Sequence, residues 1–439
     1  MQKVHTIINA RWIIPVEPQG YLERHSLVID HGAILDILPT AAAILRYEAD
    51  ETVDLPTHAL IPGLINAHTH AAMCLFRGLA DDLPLMDWLQ HHIWPAEARW
   101  VNAEFVRDGS RLAMAEMLKS GTTCFSDMYF FPEETALVAR AAGMRAVLGL
   151  IMFDFPTAYA LGPAEYLEKG LALHDAVRNS ELITTSFAPH APYTVSDGPL
   201  EQIRTLNNEL NLPVTIHVHE TAHEVEDAVA KNGQRPLQRL ENLDLVNPNL
   251  VAVHMTQLTA AEIAMLAKSG AHVVHCPESN LKLASGFCPV QTLMQAGINV
   301  ALGTDGAASN NDLDMLGEMR TAALLAKAVH RDATAVNAHQ ALRMATLNGA
   351  KALGLEEQVG SITPGKSADI TAVDLSAPET QPCYDVASHL VYAAGRENVS
   401  HVWINGKLVL DERHLTTIDM RELKARTAFW HEKINSKKI

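Results

Sequence analysis

Apolar and polar positions change their spacing twice along the chain. Over residues 1–58, short apolar runs such as residues 6–10 are separated by turn residues, which predicts β-strands. Over residues 59–360, an apolar run, a polar loop and an amphipathic helix recur in that order, which is typical of β/α units. Over residues 361–439, strands and turns return before a terminal helix. The pattern therefore predicts a β/α domain between two β segments.

Eight apolar runs in the central part have the length of barrel strands. We predict these strands at residues 60–67, 122–127, 146–151, 182–189, 214–218, 250–254, 272–275 and 298–302. Amphipathic helices fall between them, and a longer helical pattern covers residues 338–353. Eight strands with interleaved helices favour a closed parallel (β/α)8 barrel of the TIM type. A doubly wound open sheet is the alternative, but no Gly-x-Gly-x-x-Gly turn follows the first strand.

The two terminal β segments are each too small to bury a good core alone. The Asn405-Gly406 pair between apolar runs predicts a hairpin in the second segment. We therefore expect residues 1–58 and residues 361–439 to pair into one small β-sandwich beside the barrel of residues 59–360.

The charge of the chain excludes one class of partner. The 439 residues carry a formal charge of −17, and Lys and Arg are dispersed. Nucleic-acid binding needs concentrated positive charge, so we exclude it. We find no apolar stretch long enough to span a bilayer and no leader-like N-terminus, so we expect no membrane partner. Five scattered cysteines without Cys-x-x-Cys spacing fit a reducing compartment, and we expect a cytoplasmic protein.

Two histidines stand at the end of the first predicted barrel strand. Side chains of a strand alternate between its faces, so His68 and His70 share a face. At the carboxyl end of a barrel strand, both imidazoles would point into the mouth where barrels place their chemistry. The alternative for an isolated His-x-His is a polar loop with two incidental histidines.

Three further strands also end in candidate ligands. The fifth ends in His217 and His219 followed by Glu220, the sixth in His254, and the eighth leads to Asp305. His254 taken alone would fit a buried core histidine with satisfied hydrogen bonds better than a functional residue. The set as a whole converges on one barrel mouth, and imidazoles with a carboxylate are ligands of a catalytic divalent metal.

These residues lie in motifs that together resemble the amidohydrolase superfamily, and most closely its 5-methylthioadenosine/S-adenosylhomocysteine deaminases. The similarity runs over essentially the whole chain, including the split β-sandwich. The motifs are Asn66-Ala67-His68-Thr69-His70, Trp94-Pro95-Ala96-Glu97, Ala188-Pro189-His190, His217-Val218-His219-Glu220, Val253-His254, Ser279-Asn280-Leu281-Lys282-Leu283-Ala284-Ser285-Gly286, Gly303-Thr304-Asp305-Gly306 and Pro364-Gly365-Lys366-Ser367-Ala368-Asp369.

The resemblance implies a role for each motif residue at the barrel mouth. The metal ligands would be His68, His70, His217 and Asp305. Glu220 would shuttle protons, and His254 would hold the attacking water together with Asp305. His219 would support its neighbours rather than bind the metal. Binuclear relatives carry a lysine at the end of the fourth strand, whereas residues 186–190 contain none, so we expect one divalent metal per subunit, zinc or else iron(II).

The same resemblance implies the substrate and its binding residues. Glu97 would accept hydrogen bonds from the ribose hydroxyls, His190 would contact the nucleoside, and Trp94 would wall it, with Glu220 and Asp305 at the reacting end. The expected reaction is hydrolytic deamination of 5'-methylthioadenosine to its inosine analogue with release of ammonia. S-adenosylhomocysteine and adenosine are further candidates. Because residues 153–159 contain no arginine for a homocysteine carboxylate, we favour the methylthio substrate.

Other functions on the same scaffold stay open from the sequence. A guanine deaminase or a triazine hydrolase would use the same metal and differ only in the pocket, and Glu97 argues against both because planar bases offer no ribose diol. A non-catalytic scaffold would lack metal ligands, and none is missing here. A cytidine-deaminase design is excluded because no Pro-Cys-x-x-Cys follows a His-x-Glu. The resemblance also implies that the chain can form a homo-oligomer.

Overall fold

A computed structural model describes residues 1–436 and contains a closed ring of parallel strands. These strands are β5 (Leu64–Thr69), β6 (Thr122–Asp127), β7 (Arg145–Met152), β8 (Ile183–Pro189), β9 (Val214–Val218), β10 (Leu250–His254), β11 (His272–His275) and β12 (Asn299–Leu302). Each pairs in parallel with the next one along the chain. The ring closes where the Asp305 amide donates to the His68 carbonyl at 3.0 Å. The predicted (β/α)8 barrel is confirmed.

Four earlier strands precede the barrel, and four later ones follow it. They are β1 (Gln2–Ile13), β2 (Leu22–Asp30), β3 (Ala33–Pro39) and β4 (Tyr47–Pro62), and β13 (Ile370–Asp374), β14 (Val399–Ile404), β15 (Lys407–Asp411) and β16 (His414–Leu415). All eight join one mixed sheet in which β4 pairs with β1 in parallel and with β13 in antiparallel orientation. An apolar core separate from that of the barrel takes Ile8, Leu27, Ile370 and Trp403 from both chain ends. The two terminal segments thus supply each other's core, as expected.

The first barrel strand starts later than its apolar run predicts. The predicted strand at residues 60–67 is divided, because Leu60 to Pro62 belong to β4 and the barrel strand begins at Leu64. Gly63 lies at the junction, where its amide donates to the Asp369 carbonyl at 2.8 Å. A Cβ at Gly63 would lie only 2.0 Å from Thr123 Oγ1, so the two sheets meet too closely there for any other residue.

Seventeen helices lie within residues 1–436. They are α1 (Thr40–Arg46), α2 (Leu85–Trp88), α3 (Trp94–Trp100), α4 (Ala103–Lys119), α5 (Pro132–Ala142), α6 (Pro163–Val177), α7 (Asp197–Leu210), α8 (Ala222–Asn232), α9 (Pro236–Asn242), α10 (Ala260–Ser269), α11 (Pro277–Lys282), α12 (Val290–Gln295), α13 (Met315–His330), α14 (Ala338–Met344), α15 (Leu347–Ala352), α16 (Val386–Tyr392) and α17 (Met420–Asn435). Helix α1 packs on strands β2, β3 and β4 of the terminal sheet. Among the helices within residues 1–436, none has the length and apolarity needed to cross a membrane.

Two helical regions differ from the sequence pattern. The helix predicted at residues 338–353 is two helices, α14 and α15, because Thr346 has φ −134° and ψ −96°, outside the helical region. Between β5 and α4, the chain also forms α2, a π-helical turn (Leu89–Ile93) and α3, which the sequence pattern did not predict. This second region covers the barrel mouth.

Candidate metal centre and substrate pocket

Four ligand atoms from the ends of three strands meet inside the barrel mouth. His68 Nε2 lies 3.0 Å from His217 Nε2, and His70 Nε2 lies 3.1 Å from Asp305 Oδ1. One atom from each of these four residues lies within 4.8 Å of the others. His68 and His217 occupy the carboxyl ends of β5 and β9, and Asp305 follows β12. The barrel thus brings together residues that are more than 200 positions apart.

Neighbouring carbonyl groups fix the tautomers of two of these histidines. His70 Nδ1 donates to the Met128 carbonyl at 2.6 Å, and His217 Nδ1 donates to the His190 carbonyl at 2.7 Å. A carbonyl only accepts, so each Nδ1 carries a proton, and the Nε2 of a neutral ring then has a bare lone pair. Both Nε2 atoms face the cluster. This is the orientation that a metal-binding imidazole requires.

The carboxylate of Asp305 is held in its ionised form. Ser279 Oγ donates to its Oδ2 at 2.7 Å, and Ser309 Oγ does so at 3.0 Å. Burial raises the pKa of Asp305, but hydrogen bonds from His68 and His70 outweigh it and hold this pKa well below its usual range. A buried negative charge beside three imidazoles attracts a cation, so the residues present fit a divalent metal.

The protein environment shifts the pKa values of His68 and His70 in opposite directions. Burial is the largest effect on His68 and lowers its pKa to about 4, so this ring is neutral. Burial also acts to lower the pKa of His70, but Asp305 and the Met128 carbonyl offset it and raise this pKa to about 9. In the metal-free protein, His70 therefore carries the proton that neutralises Asp305.

Two further predicted residues stand beside the cluster. His254 Nε2 lies 3.8 Å from Glu220 Oε2, and His254 Nδ1 lies 2.9 Å from Asn280 Oδ1. Burial raises the pKa of Glu220 above its ordinary value. The Glu220 amide donates to the carboxylate of Glu224 at 2.7 Å, which holds the loop after β9 in place. An acid and an imidazole thus adjoin the metal ligands.

His219 points away from the cluster. Strand alternation predicts that His219 shares a face with His217, and this prediction is wrong because β9 ends at Val218 and His219 has a left-handed φ of 53°. Its Nε2 accepts from the Leu237 amide at 3.2 Å and lies 3.6 Å from Glu262 Oε1. The ring therefore packs between α9 and α10, and it supports the loop of Glu220 without reaching the metal ligands.

The three predicted substrate residues line the same pocket as the cluster. Glu97 lies on α3, and its Oε1 accepts from the Tyr129 hydroxyl at 2.8 Å. The ring of His190 stacks on Phe153 at 4.6 Å between centroids, and its Nδ1 lies 3.0 Å from Thr194 Oγ1. Burial lowers the pKa of His190 to about 3, so it is neutral. Trp94 also lines the pocket.

The sequence matches a known family over most of its length. The model of the amidohydrolase family matches residues 59–409, which includes the whole barrel and its metal cluster. This chain belongs to the amidohydrolase family. Within it, a 5-methylthioadenosine/S-adenosylhomocysteine deaminase from Saccharophagus degradans is 54% identical over 433 residues, covering 98% of this chain and 97% of the relative. The deaminase of that name from Teredinibacter turnerae is 53% identical, with 98% of each chain covered.

Solved structures agree with this assignment. An adenosine deaminase from Xanthomonas campestris with bound zinc matches this amidohydrolase with a TM-score of 0.98 and 54% identity, covering 99% of both chains. The atrazine chlorohydrolase from Arthrobacter aurescens TC1, complexed with zinc, matches with a TM-score of 0.90 at 21% identity, covering 97% of this chain and 99% of that one. The second similarity is one of fold alone.

An apolar chamber continues the pocket beyond Glu97. It shares Trp94, Glu97, Phe130 and Phe153 with the pocket that holds the metal ligands, and it ends at Phe155 and nearby small residues. None of its lining residues is a lysine or an arginine. In this amidohydrolase, the chamber next to Glu97 is therefore mostly apolar and without positive charge.

Sequence reasoning missed three residues that hold the functional groups in place. Tyr129 bonds to Glu97, Asn280 to the ring of His254, and Glu224 to the backbone of Glu220. Tyr129 and Asn280 each follow a barrel strand by a few residues, so their position at strand ends was an available signal. Glu224 carries no such signal, because it lies inside the first turn of α8.

Proposed function

We propose that this amidohydrolase is a metal-dependent hydrolytic deaminase of 5'-methylthioadenosine and related adenosine nucleosides. The observation that carries the proposal is one pocket lined by metal ligands, by Glu220 and His254, and by Glu97. The relatives at 53–54% identity bear the name of this activity. The overall reaction joins one water to the substrate and yields the inosine analogue and ammonia.

His68, His70, His217 and Asp305 would hold the metal, and zinc fits their nitrogen and oxygen donors. A divalent ion at this position supplies a water molecule whose pKa is lowered to about 7. Residues 186–190, which include the end of β8, contain no lysine that could bridge a second ion, which supports one metal per chain. The zinc bound to the Xanthomonas campestris deaminase supports the choice of zinc.

Glu220 would supply the proton that activates the purine. Burial raises the pKa of its carboxyl, so the protonated form persists closer to neutral pH. A proton given to ring N1 makes C6 electron-poor, and water adds there. His254 and Asp305 would orient this water, since His254 Nε2 and Glu220 Oε2 lie 3.8 Å apart on one side of the cluster. The amino group takes up a proton and leaves as ammonia.

Glu97 and His190 would hold the nucleoside. Glu97 is a half-buried carboxylate that lines the same pocket as the metal ligands, where it can accept from the two ribose hydroxyls. His190 is neutral and stacked on Phe153, so it can contact the nucleoside without a charge. Trp94 would form a wall of the pocket.

The apolar chamber favours a methylthio group at the 5' position. A thioether methyl would pack against Phe130, Phe153 and Phe155, whereas the charged tail of S-adenosylhomocysteine would lose water without gaining a cationic partner there. We therefore expect kcat/KM to be higher for 5'-methylthioadenosine than for S-adenosylhomocysteine. A clear preference for S-adenosylhomocysteine would contradict this substrate choice and leave the deaminase proposal intact.

A planar substrate fits this pocket less well. Guanine or a triazine has no ribose hydroxyls to donate to Glu97 and would leave the apolar chamber beyond it unfilled. The likeness to atrazine chlorohydrolase is one of fold alone, so no observation favours these functions.

The test is a panel of 6-aminopurine nucleosides with zinc-loaded protein, followed by the ultraviolet change on loss of the amino group. We expect turnover of 5'-methylthioadenosine, ammonia release in equal amount, and loss of both after chelation. Guanine and a chlorotriazine serve as the comparison substrates. Zinc-loaded protein that leaves every adenosine nucleoside unchanged would refute the proposal.

A further inference from the structure

We propose that Tyr129 is a positioning residue that holds Glu97 in place for the ribose diol, an inference that rests on the function proposed above. Tyr129 follows β6, and its side chain is buried, with 4% of its surface exposed. Its hydroxyl reaches Glu97 Oε1 at 2.8 Å across 32 positions of sequence. This hydrogen bond joins the barrel to the helical segment that covers its mouth.

The direction of this hydrogen bond follows from its partners. Burial raises the pKa of Tyr129 well above its ordinary value, and the nearby Glu97 adds to this effect, so the hydroxyl keeps its proton. A carboxylate can only accept, so Tyr129 donates its single proton to Glu97 Oε1. Within residues 1–436, no hydrogen bond to Glu97 Oε2 is found. One oxygen is therefore held by the protein, and because Glu97 lines the pocket, the other is left for a ligand.

Tyr129 also sets the distance between the two ends of the pocket. The Met128 carbonyl accepts from His70 Nδ1 at 2.6 Å, and the next residue, Tyr129, bonds to Glu97. Two consecutive residues thus anchor a metal ligand and the carboxylate proposed to bind ribose. The third, Phe130, lines the apolar chamber. Because a rigid barrel strand precedes this segment, the ribose is held at a fixed distance from the reacting carbon.

The test combines two substitutions with two substrates. We expect Tyr129→Phe to raise KM for adenosine about tenfold, the loss typical of one hydrogen bond to a charged group, with kcat within about twofold and zinc content unchanged. On 2',3'-dideoxyadenosine, which lacks the ribose hydroxyls, the same variant should match the wild type in kcat/KM. In a Glu97→Gln background, Tyr129→Phe should add less than about twofold.

A matched control is available on α6. Tyr166 is also buried, and its hydroxyl lies 2.6 Å from Thr157 Oγ1, away from Glu97. Tyr166→Phe should leave KM for adenosine unchanged. If Tyr129→Phe costs the same factor on the dideoxy substrate or in the Glu97→Gln background, Tyr129 acts independently of Glu97 and the inference is overturned.

Failure of the proposed function would look different. In that case wild-type protein would deaminate neither adenosine nor 2',3'-dideoxyadenosine. If wild type deaminates both while Glu97→Gln leaves the preference for adenosine intact, then Glu97 does not bind the diol and the inference about Tyr129 is overturned with it. Retained turnover of the dideoxy substrate also shows that each variant is folded and loaded with metal.

Discussion

His68 Nε2 and His217 Nε2 lie 3.0 Å apart. The proton of a neutral His217 ring is on Nδ1, which donates to the His190 carbonyl, so His217 Nε2 has a lone pair that faces His68. Two nitrogen lone pairs that face each other at this distance repel unless a cation lies between them or a proton joins them. The pair can therefore be satisfied in one of two ways, by a proton on His68 Nε2 or by a bound metal that accepts both lone pairs.

The first prediction concerns metal removal. A ligand that binds only the folded state stabilises it by mass action, so zinc in excess should raise the melting temperature of chelated wild-type protein by several degrees. His217→Ala removes a ligand and should abolish most of this increase and bind much less than one zinc per chain. Metal analysis and thermal denaturation with and without zinc check this. Equal melting temperatures of metal-free and zinc-loaded wild type would contradict it.

Glu220 gives the second prediction. Its buried carboxyl adjoins the cluster but is not among the four ligands, so Glu220→Gln should keep the metal while losing the proton that activates the purine. General acid–base assistance typically contributes about 10² to 10⁴ in rate, and we expect kcat to fall by that factor. Steady-state kinetics on zinc-saturated variant measure it. A variant that loses its zinc or keeps full activity would remove Glu220 from the proposed role.

The third prediction follows from the loop that carries Glu220. The carboxylate of Glu224 accepts from the amides of His219 at 3.1 Å and Glu220 at 2.7 Å, one with each oxygen. In Glu224→Gln, one oxygen becomes an NH2 group that faces an amide donor, so one of the two hydrogen bonds is lost. We expect kcat to fall about tenfold with KM and zinc content little changed.

The neighbouring Glu226 provides the control for the two hydrogen bonds of Glu224. It is exposed on the same helix, α8, and carries the same charge, so Glu226→Gln should leave kcat unchanged. If both variants lose the same factor, the charge of α8 rather than the hydrogen bonds of Glu224 would be responsible.

These loop contacts mark the limit of prediction from sequence. The ligands His68, His217 and Asp305 could be predicted because strand alternation and barrel closure place strand ends at one mouth. His219 points away from the metal ligands because its φ is left-handed, at 53°. A histidine within an apolar run gives no sequence signal for this backbone conformation. The bond between Tyr129 and Glu97 depends on how a helical segment folds over the mouth, and no local pattern encodes that.

The same limit applies to the fold. The alternating strand and helix pattern predicted the barrel because each unit repeats a simple period. The boundary between β4 and β5 at Gly63 could not be predicted from the sequence, because the apolar run continues through it from one sheet into the other. It is set by the close approach of Thr123, which only the packed sheets bring about.

The fourth prediction is a pH dependence of substrate binding. Burial raises the pKa of Glu97 to about 7, although the Tyr129 hydrogen bond acts in the opposite direction. A raised pKa means that the carboxyl is protonated below about pH 7, and the protonated form accepts hydrogen bonds less well. KM for adenosine should therefore rise as the pH falls below 7. This rise should be absent in Glu97→Gln and on 2',3'-dideoxyadenosine, and its persistence in both would assign it to another group.

The last prediction concerns the contact between the barrel and the terminal sheet. Arg145 on β7 is buried, and its Nε donates to Asp369 Oδ2 at 2.9 Å beside the start of β13. The second carboxylate oxygen accepts from the Asn405 amide at 2.9 Å. Asp369→Ala would leave a buried guanidinium without its counter-charge, which typically costs about 3–5 kcal/mol. We expect a lower melting temperature, with kcat per folded, zinc-loaded chain unchanged because neither Arg145 nor Asp369 lines the pocket.

Two comparisons separate this effect from a general loss of charge. The pair of Arg111 and Glu422 is more exposed at a similar distance of 2.9 Å, so Glu422→Ala should cost less than about 1 kcal/mol. Adding Arg145→Met to Asp369→Ala removes the unpaired charge and should recover part of the lost stability, because a buried ion pair replaced by apolar groups is often neutral. A double variant less stable than Asp369→Ala alone would show that Arg145 stabilises the junction through its other bonds, to the Glu181 carbonyl and to Ser367, rather than through the ion pair.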